Sequence, residues 1–257
     1  MSVRAVCLSL LISRAVLGGI AAAESPAAPA GFETLFNGRD LAGWYGWGTR
    51  DPADLQRMSE AERADYKRKS IAGGLTDAKG RDAGDHLEAH WKVVDGVLVN
   101  DGRGLYLTSD RDYGDFELLV EYAMQPLGDS GVYLRGIPQV QIWDPACDRD
   151  FKHGCEKGSG GLWNNPAASP EHAPARFPLV KADKAVGEWN TMRITMRGER
   201  VSVVLNGQTV VDDKPMANLF RRGEPMPEKG PIQIQVHGAP IHVRNLFIRE
   251  LPAAAPR

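Results

Sequence analysis

Residues 130–144 read SGVYLRGIPQVQIWD, and apolar and polar side chains alternate along most of this stretch. Because successive side chains of a β-strand point to opposite faces, one face carries the apolar residues and the other the polar ones. Residues 232–237 (IQIQVH) repeat the alternation. Half-polar strands of this kind are typical of antiparallel sheets that have one face on a hydrophobic core.

The segments around this stretch continue the period of two and are separated by turn residues. Asp95-Gly96 and Asn206-Gly207 are hairpin turn signals between apolar runs. Further alternating runs cover 116–122, 192–196, 201–205 and 241–248, and residues 197–200 form a turn between the second and the third. Many short strands with little helix predict an all-β fold, with two antiparallel sheets packed as a jelly-roll sandwich of the concanavalin or laminin-G type.

One segment departs from this pattern. Ser59 followed by Glu62 is a capping-box pattern and predicts a polar helix that runs to about Lys69. The segment contains too few apolar residues for a core helix. We therefore expect one short helix, inserted at the surface of the sandwich.

The composition predicts one exported domain. Arg4, the apolar runs that follow it and Ala21-Ala22-Ala23 predict a signal peptide over residues 1–23, and hence a periplasmic or secreted protein. The alternative is the frayed N-terminal tail of a cytoplasmic protein. On this interpretation residues 24–31 form a flexible spacer, residues 32–251 form the domain and residues 252–257 form a C-terminal tail.

A net charge of −2 without a dense Lys/Arg cluster argues against nucleic-acid partners, and no later stretch is long enough to span a bilayer.

Export affects how the remaining cysteines are interpreted. Cys147 and Cys155 lie close together in a loop rich in Gly and Asp. In an oxidising compartment such a pair predicts a local disulfide. The alternative, a zinc site, would need more soft ligands than this pair and His153.

The polar faces of the alternating strands predict a sugar site. If the strands share a sheet, one outer face presents amides, a guanidinium, an imidazole and aromatic rings, namely Tyr133, Arg135, Gln139, Gln141, Trp143, Gln233, Gln235 and His237. Planar amides and guanidinium groups bind hydroxyls, and an indole covers the apolar face of a pyranose. A face that is merely solvated is the alternative, but such faces favour Lys, Glu, Thr and Ser.

The same residues argue against an ordinary glycosidase, which needs two carboxylates that flank the scissile bond. The central strand has Gln139 and Gln141 at alternate positions and only Asp144 at its end. His237 is the best acid–base candidate, because the unperturbed pKa of histidine lies near working pH. A structural histidine that bonds a loop carbonyl is the alternative.

These motifs together resemble the 3-keto-disaccharide hydrolase family over about Phe32 to Leu251. The resemblance rests on the order and spacing of LFNGRDLAGW (35–44), WKVVDGVL (91–98), DFEL (115–118), DSGVYLR (129–135), QVQIWD (139–144), GEWN (187–190), LNG (205–207), QVHG (235–238) and RN (244–245). Many members have Glu where this chain has Gln139, so no carboxylate role can be assumed there. Residues 158–165 (GSGGLWNN) resemble a subgroup form of a family loop.

The resemblance implies cleavage of 3-keto-glycosides, in which a base removes the C2 proton, the C1 substituent leaves by elimination and water then adds. We expect His237 or Asp144 to transfer the proton and Arg135 to stabilise the enolate. A divalent metal near Asp144 is an alternative to Arg135. We expect the sugar to be held by Gln139, Gln141, Trp143, Tyr133, Gln235 and Asn164. A non-catalytic carbohydrate-binding module of the laminin-G type and a conventional glycosidase remain alternatives.

Overall fold

The computed structural model describes residues 27–252, with only the backbone of Pro138. The predicted signal peptide lies outside these residues, as does most of the predicted tail. Residues 27–252 form thirteen strands: β1 (Glu33–Thr34), β2 (Trp44–Trp47), β3 (Trp91–Val94), β4 (Val97–Asn100), β5 (Tyr106–Tyr113), β6 (Phe116–Met124), β7 (Asp129–Leu134), β8 (Ile137–Trp143), β9 (Trp189–Arg197), β10 (Arg200–Leu205), β11 (Gln208–Pro215), β12 (Gly230–Ile234) and β13 (Ile241–Glu250).

The strands form two antiparallel sheets. The larger sheet has eight strands, in the order β11-β10-β9-β6-β13-β4-β3 with β1 paired to β13, and the smaller sheet has five, in the order β2-β5-β12-β7-β8. One large hydrophobic cluster contains fully buried residues of both sheets, such as Val132, Val140 and Ile234 from the small sheet and Leu118 and Ile194 from the large one. The predicted all-β two-sheet sandwich is confirmed.

The predicted hairpins form with the turn geometry that their residues favour. Asp95-Gly96 connects β3 to β4 with φ of 50° and 77°, and Asn206-Gly207 connects β10 to β11 with φ of 50° and 82°. Two successive residues with positive φ match the right-handed twist of the strands that they join. The turn residues and the apolar alternation therefore predict the same position for each hairpin turn.

The predicted helix is also present and is slightly longer than expected. Helix α2 (Glu60–Ala72) begins at Ser59, whose hydroxyl accepts the N–H of Glu62, and the Glu62 carboxylate accepts the Ser59 N–H in return. Two four-residue helices, α1 (Ala53–Gln56) and α3 (Leu87–His90), flank it, and short 3₁₀ turns lie at Asp148–His153, Cys155–Lys157 and Ala173–Arg176. No helix within residues 27–252 is long and apolar enough to cross a membrane.

Helix α2 covers the outer face of β2 at one end of the small sheet. Tyr66 packs edge-on against Trp47, with ring centroids 5.0 Å apart, and the Ser70 hydroxyl accepts the N–H of Gly46 at 3.0 Å. A Cβ added to Gly46 would lie 2.7 Å from the Leu105 side chain and 3.0 Å from the Ser70 carbonyl oxygen. The helix can therefore approach this strand only because residue 46 has no side chain.

We expect Gly46→Ala to lower the free energy of unfolding by about 1–3 kcal/mol, because the added methyl overpacks the contact between helix and strand. Gly48→Ala is the matched control, since a Cβ there meets nothing within 4 Å. Urea denaturation of both variants measures the difference. Equal stability of the two variants would contradict the close approach at Gly46.

Candidate active site

The outer face of the small sheet forms the floor of the site, because the strand register brings its polar residues together. Tyr133 of β7 lies opposite Gln139 of β8, and Gly131 lies opposite Gln141. Just beyond β12, Gln235 donates its N–H to the carbonyl of Gly131 at 2.9 Å. The predicted polar face is therefore a single surface shared by three neighbouring segments.

Loops at the edges of the sheet turn this face into a cavity of about 340 Å³. The segment Gly160–Gly161 extends the sheet beyond β8, since Gln141 exchanges backbone hydrogen bonds of 2.8 and 2.9 Å with it. The residues that line the cavity are Thr49, Tyr106, Asp129, Tyr133, Gln139, Gln141, Trp143, Asp150, His153, Trp163, Asn164, Leu219, Gln235 and His237.

The amide groups of the cavity are held by one another and by hydroxyls. Gln139 donates Nε2–H to Oε1 of Gln141 at 2.5 Å, and Gln141 donates Nε2–H to Oδ1 of Asp129 at 2.7 Å. Gln235 donates Nε2–H to the Tyr106 hydroxyl at 3.2 Å. Because the amide donors are used in this way, the orientation of each amide group is set by the protein.

Three acceptor oxygens of the cavity have no partner among the described residues. Gln139 Oε1, Gln235 Oε1 and Asn164 Oδ1 are buried and accept no hydrogen bond from any residue within 27–252. A buried polar atom without a partner costs free energy, so it favours a ligand that supplies a donor. Three such oxygens in one cavity suit a molecule with several hydroxyl groups.

Gly131 leaves the room that Gln139 needs. A Cβ at residue 131 would lie 2.4 Å from Gln139 Oε1 and 2.8 Å from its Cδ. The Gln139 amide therefore lies over the bare backbone of the neighbouring strand. A close backbone approach is a common reason for glycine inside a strand.

His237 and Asp129 form a hydrogen-bonded pair of imidazole and carboxylate in the cavity. His237 Nδ1 lies 2.8 Å from Asp129 Oδ2, and Asp129 Oδ1 accepts the Gln141 amide. The His237 side chain is 63% exposed, and its Nε2 has no partner among the described residues. A carboxylate at Nδ1 fixes the ring orientation and leaves Nε2 available for general acid–base chemistry.

The electrostatic surroundings of His237 favour its protonated form. The hydrogen bond to Asp129 raises the pKa of His237, burial opposes this, and the negative charges of Asp129 and Asp150 add to the increase. Arg149 lowers it. The imidazolium that forms when His237 accepts a proton is therefore stabilised in place.

Aromatic rings form the apolar part of the cavity. Trp143 donates Nε1–H to the Gly158 carbonyl at 2.8 Å, and Trp163 donates Nε1–H to the His153 carbonyl at 3.0 Å. The two indoles meet edge-on with centroids 6.3 Å apart. Across the floor, Tyr133 packs against Tyr106 at 5.5 Å, and burial raises the pKa of Tyr133, so the phenol stays neutral.

The family model of the 3-keto-alpha-glucoside-1,2-lyase-like domain matches residues 31–249. The chain belongs to this family. The match covers both sheets and every residue that lines the cavity, and it gives this lyase-like domain a carbohydrate-processing role. No curated protein matches the chain.

Solved structures support the same fold for the lyase-like domain. A protein of Parabacteroides distasonis ATCC 8503 that is inferred to be a glycosyl hydrolase is 23% identical, with a TM-score of 0.54 over 87% of this chain and 85% of its own. Another protein from this organism, with the same description, is 19% identical, with a TM-score of 0.55 over 86% of this chain and 94% of its own. At these identities the likeness establishes the sandwich fold.

The structure corrects the prediction for Arg135. Its side chain is buried outside the cavity, where it donates to Asp115 Oδ1 at 2.8 Å, the Gly114 carbonyl at 3.0 Å and the Pro227 carbonyl at 2.8 Å. Arg135 and Gly136 form the two-residue turn between β7 and β8, with φ of 55° and 68°. The alternation therefore stops at Leu134, and in the lyase-like domain Arg135 is placed to stabilise the fold and not an enolate.

The prediction for Asp144 is also wrong. Its Oδ2 accepts the N–H of Leu127 at 3.0 Å and its Oδ1 accepts the N–H of Ala146 at 2.8 Å. The carboxylate holds two loops together outside the cavity. Because both Asp144 oxygens already accept backbone N–H groups, this carboxylate does not fit the divalent metal considered above. Within residues 27–252 no group of three or more His, Cys, Asp or Glu side chains is placed to hold a metal ion.

The predicted disulfide is absent from the structure. Cys147 and Cys155 are both buried free thiols. Cys155 donates its S–H to the carbonyl oxygen of Cys147 at 3.1 Å, and Cys147 donates its S–H to Asp150 Oδ2 at 3.4 Å. Burial raises the pKa of both thiols, that of Cys155 to about 11, so both stay protonated near neutral pH.

The structure brings the other predicted residues together and adds several that the sequence analysis missed. Gln139, Gln141, Trp143, Tyr133, Gln235, Asn164 and His237 all line the cavity. The missed residues are Thr49, Tyr106, Asp129, Asp150, His153, Trp163 and Leu219. For Asp129 a signal was present, because it lies two residues before Gly131 and four before Tyr133, on the polar face of β7. The missed cavity residues that lie in loops carried no periodic signal in the sequence.

We expect Arg135→Ala to lower the free energy of unfolding of the lyase-like domain by about 3–5 kcal/mol, because it removes the cation beside a buried carboxylate. The Arg135 and Asp115 side chains are only 3% and 8% exposed. Arg57→Ala is the matched control, since its ion pair with Asp54 is exposed and should change stability by less than about 1 kcal/mol. Chemical denaturation measures both, and equal effects would contradict the structural role of Arg135.

Proposed function

We propose that this protein cleaves 3-keto-glycosides by elimination followed by hydration. The observation that carries the proposal is the His237–Asp129 pair, which places one oriented imidazole in a cavity lined by buried amide acceptors. The family supports a substrate with a ketone at C3. The expected export of the chain would put this activity outside the cytoplasm.

The chemistry follows from the acidity of the substrate. A ketone at C3 acidifies the hydrogen on C2, so one base is enough to start the reaction. His237 Nε2 takes this proton, and Asp129 stabilises the resulting imidazolium. The electron pair left on C2 forms the enolate, then a C1=C2 double bond as the C1–O bond breaks. Water adds across that bond, so the net change is hydrolysis.

With Arg135 outside the cavity, neutral donors are left to hold the enolate oxygen. Asn164 is the best candidate, because it lines the cavity and its side-chain amide carries N–H donors. Preorganised neutral donors in a partly desolvated site stabilise developing negative charge without reorganisation. Gln139, Gln235 and the aromatic rings then hold the hydroxyls and the apolar face of the sugar.

The arrangement of the carboxylates disfavours the conventional glycosidase mechanism. Both oxygens of Asp129 are engaged, one with His237 and one with Gln141. The other carboxylate of the cavity, Asp150, bonds Arg149 and Cys147. A non-catalytic binding module would use the same amides and rings, but it would have no need for an imidazole oriented by a carboxylate.

The decisive experiment is a product time course with purified protein on 3-keto-trehalose and 3-keto-cellobiose, with the unoxidised disaccharides beside them. We expect release of sugar from the keto substrates only, with a transient 2-hydroxy-3-keto-glucal detected by NMR. Cleavage of the unoxidised disaccharides would indicate a conventional glycosidase. Saturable binding without turnover would indicate a binding module.

We expect His237→Ala to lower kcat by about 10²–10⁴-fold, the usual contribution of general acid–base catalysis, with little change in thermal unfolding. The control is His242→Ala, which removes an imidazole from β13 of the other sheet. Steady-state kinetics on the keto substrates measure both variants. Similar values of kcat for His237→Ala and His242→Ala would contradict a catalytic role for His237.

The pH dependence tests the role of Asp129. A base acts in its neutral form, so the rate should rise with pH through the pKa of His237, which lies above the ordinary histidine value. Asp129→Asn removes the negative charge that raises this pKa and leaves only a weaker, neutral acceptor at Nδ1, so the midpoint should move to lower pH. Asp150 and Arg149 also act on His237 and are unchanged in this variant. An unmoved midpoint in kcat/KM would contradict the pairing.

A further inference from the structure

The cavity contains a second imidazole besides that of His237. His153 lines the cavity together with His237. It comes from the 3₁₀ turn Asp148–His153, whereas His237 follows β12, so the two rings reach the cavity from different loops. No partner within residues 27–252 occupies either ring nitrogen of His153.

The structure holds His153 at the aromatic side of the cavity. Its carbonyl accepts Nε1–H of Trp163 at 3.0 Å, and its ring lies edge-on to the Trp163 ring with centroids 5.9 Å apart and an interplanar angle of 84°. Trp163 packs in the same way on Trp143. Backbone and ring of His153 are thus both fixed by an indole that itself lines the site.

One carboxylate acts on both imidazoles. Asp150 precedes His153 by three residues, a spacing that brings side chains together in a 3₁₀ turn. The charge of Asp150 raises the pKa of His237, and His153 in turn lowers the pKa of Asp150. Because burial alone would raise the pKa of Asp150, its bonds to Arg149 and Cys147 and the nearby His153 keep it ionised.

The proposed elimination requires a second proton-transfer group. When the C1–O bond breaks, its electron pair goes to the glycosidic oxygen, and a sugar alkoxide is a poor leaving group without a proton. When the C1–O bond breaks, His237 already holds the C2 proton, which the cycle returns to C2 during hydration. A separate acid facing the same cavity satisfies this requirement.

We propose that His153 is this second catalytic residue: it protonates the departing glycosidic oxygen and then activates the water that adds to C1. The inference rests on the proposed function and names the second acid–base group of that same site. In the first half, His237 takes the C2 proton and His153 gives its proton to the leaving oxygen. In the second half, neutral His153 takes a proton from water as its oxygen attacks C1, and His237 returns its proton to C2, so both residues recover.

Leaving groups of different quality test the proposal. Nitrophenolate departs without protonation, whereas methoxide needs a proton, so the two 3-keto-glucosides differ in their need for the acid. We expect His153→Ala to slow the release of methanol from methyl 3-keto-glucoside by about 10²–10³-fold, while the release of 4-nitrophenolate from 4-nitrophenyl 3-keto-glucoside is little affected. His237→Ala should slow both, because C2 proton removal is common to them. His242→Ala is the control outside the cavity, and His153→Gln repeats the test with a replacement closer in size to histidine.

Hydrogen exchange at C2 gives a second measurement. In deuterated buffer, His153→Ala should still exchange the C2 hydrogen of unreacted methyl 3-keto-glucoside above the enzyme-free rate, because His237 remains. His237→Ala should lose both exchange and elimination. If His153→Ala lowers the release rate of both leaving groups equally, or of neither, the role of His153 is overturned. The proposed function is not affected by that outcome. A wild-type protein that turns over neither 3-keto-glucoside would instead overturn the proposed function.

Discussion

The carboxylate of Asp129 joins segments of the small sheet that are far apart in the sequence. It accepts the amide of Gln141, twelve residues away, and pairs with the imidazole of His237, 108 residues away. The side-chain oxygen Oε1 of Gln141 in turn accepts the Nε2–H of Gln139, so the chain of hydrogen bonds continues to that residue. One acidic side chain therefore orients both the His237 imidazole and the amides on the floor of the cavity. Its geometry depends in turn on the antiparallel pairing of β7 with β8 and with the segment after β12.

The buried amide oxygens destabilise the fold, but they also strengthen hydrogen bonds to a ligand. Gln139, Gln235 and Asn164 each keep one acceptor away from water without a partner within residues 27–252. Each such atom destabilises the fold by about 1–3 kcal/mol until a donor reaches it. The large core between the sheets offsets this cost. The same desolvation makes each new hydrogen bond to a sugar hydroxyl count more than it would in water.

Two predictions failed at the ends of strands, each for its own physical reason. Alternation assigns a face to a side chain only while the backbone stays extended. Arg135 lies in a left-handed turn conformation, so its side chain does not follow the polar face of β7. Asp144 lies just beyond β8 and follows Val140 and Ile142 in the alternation, so the pattern itself assigns it to the face opposite the cavity. Gln139, Gln141 and Trp143 lie inside β8, and all three line the cavity as predicted.

The sequence by itself determined the features that depend on near neighbours: the period-two strands, the Asp95-Gly96 and Asn206-Gly207 hairpins, the capped helix at Ser59 and the polar face of β8. These follow from backbone sterics, side-chain alternation and short-range hydrogen bonds. Only the tertiary structure decided that Asp129 pairs with His237 and that His153 faces the same cavity. Such contacts depend on strand register and loop closure over long stretches of chain, which a local pattern does not specify.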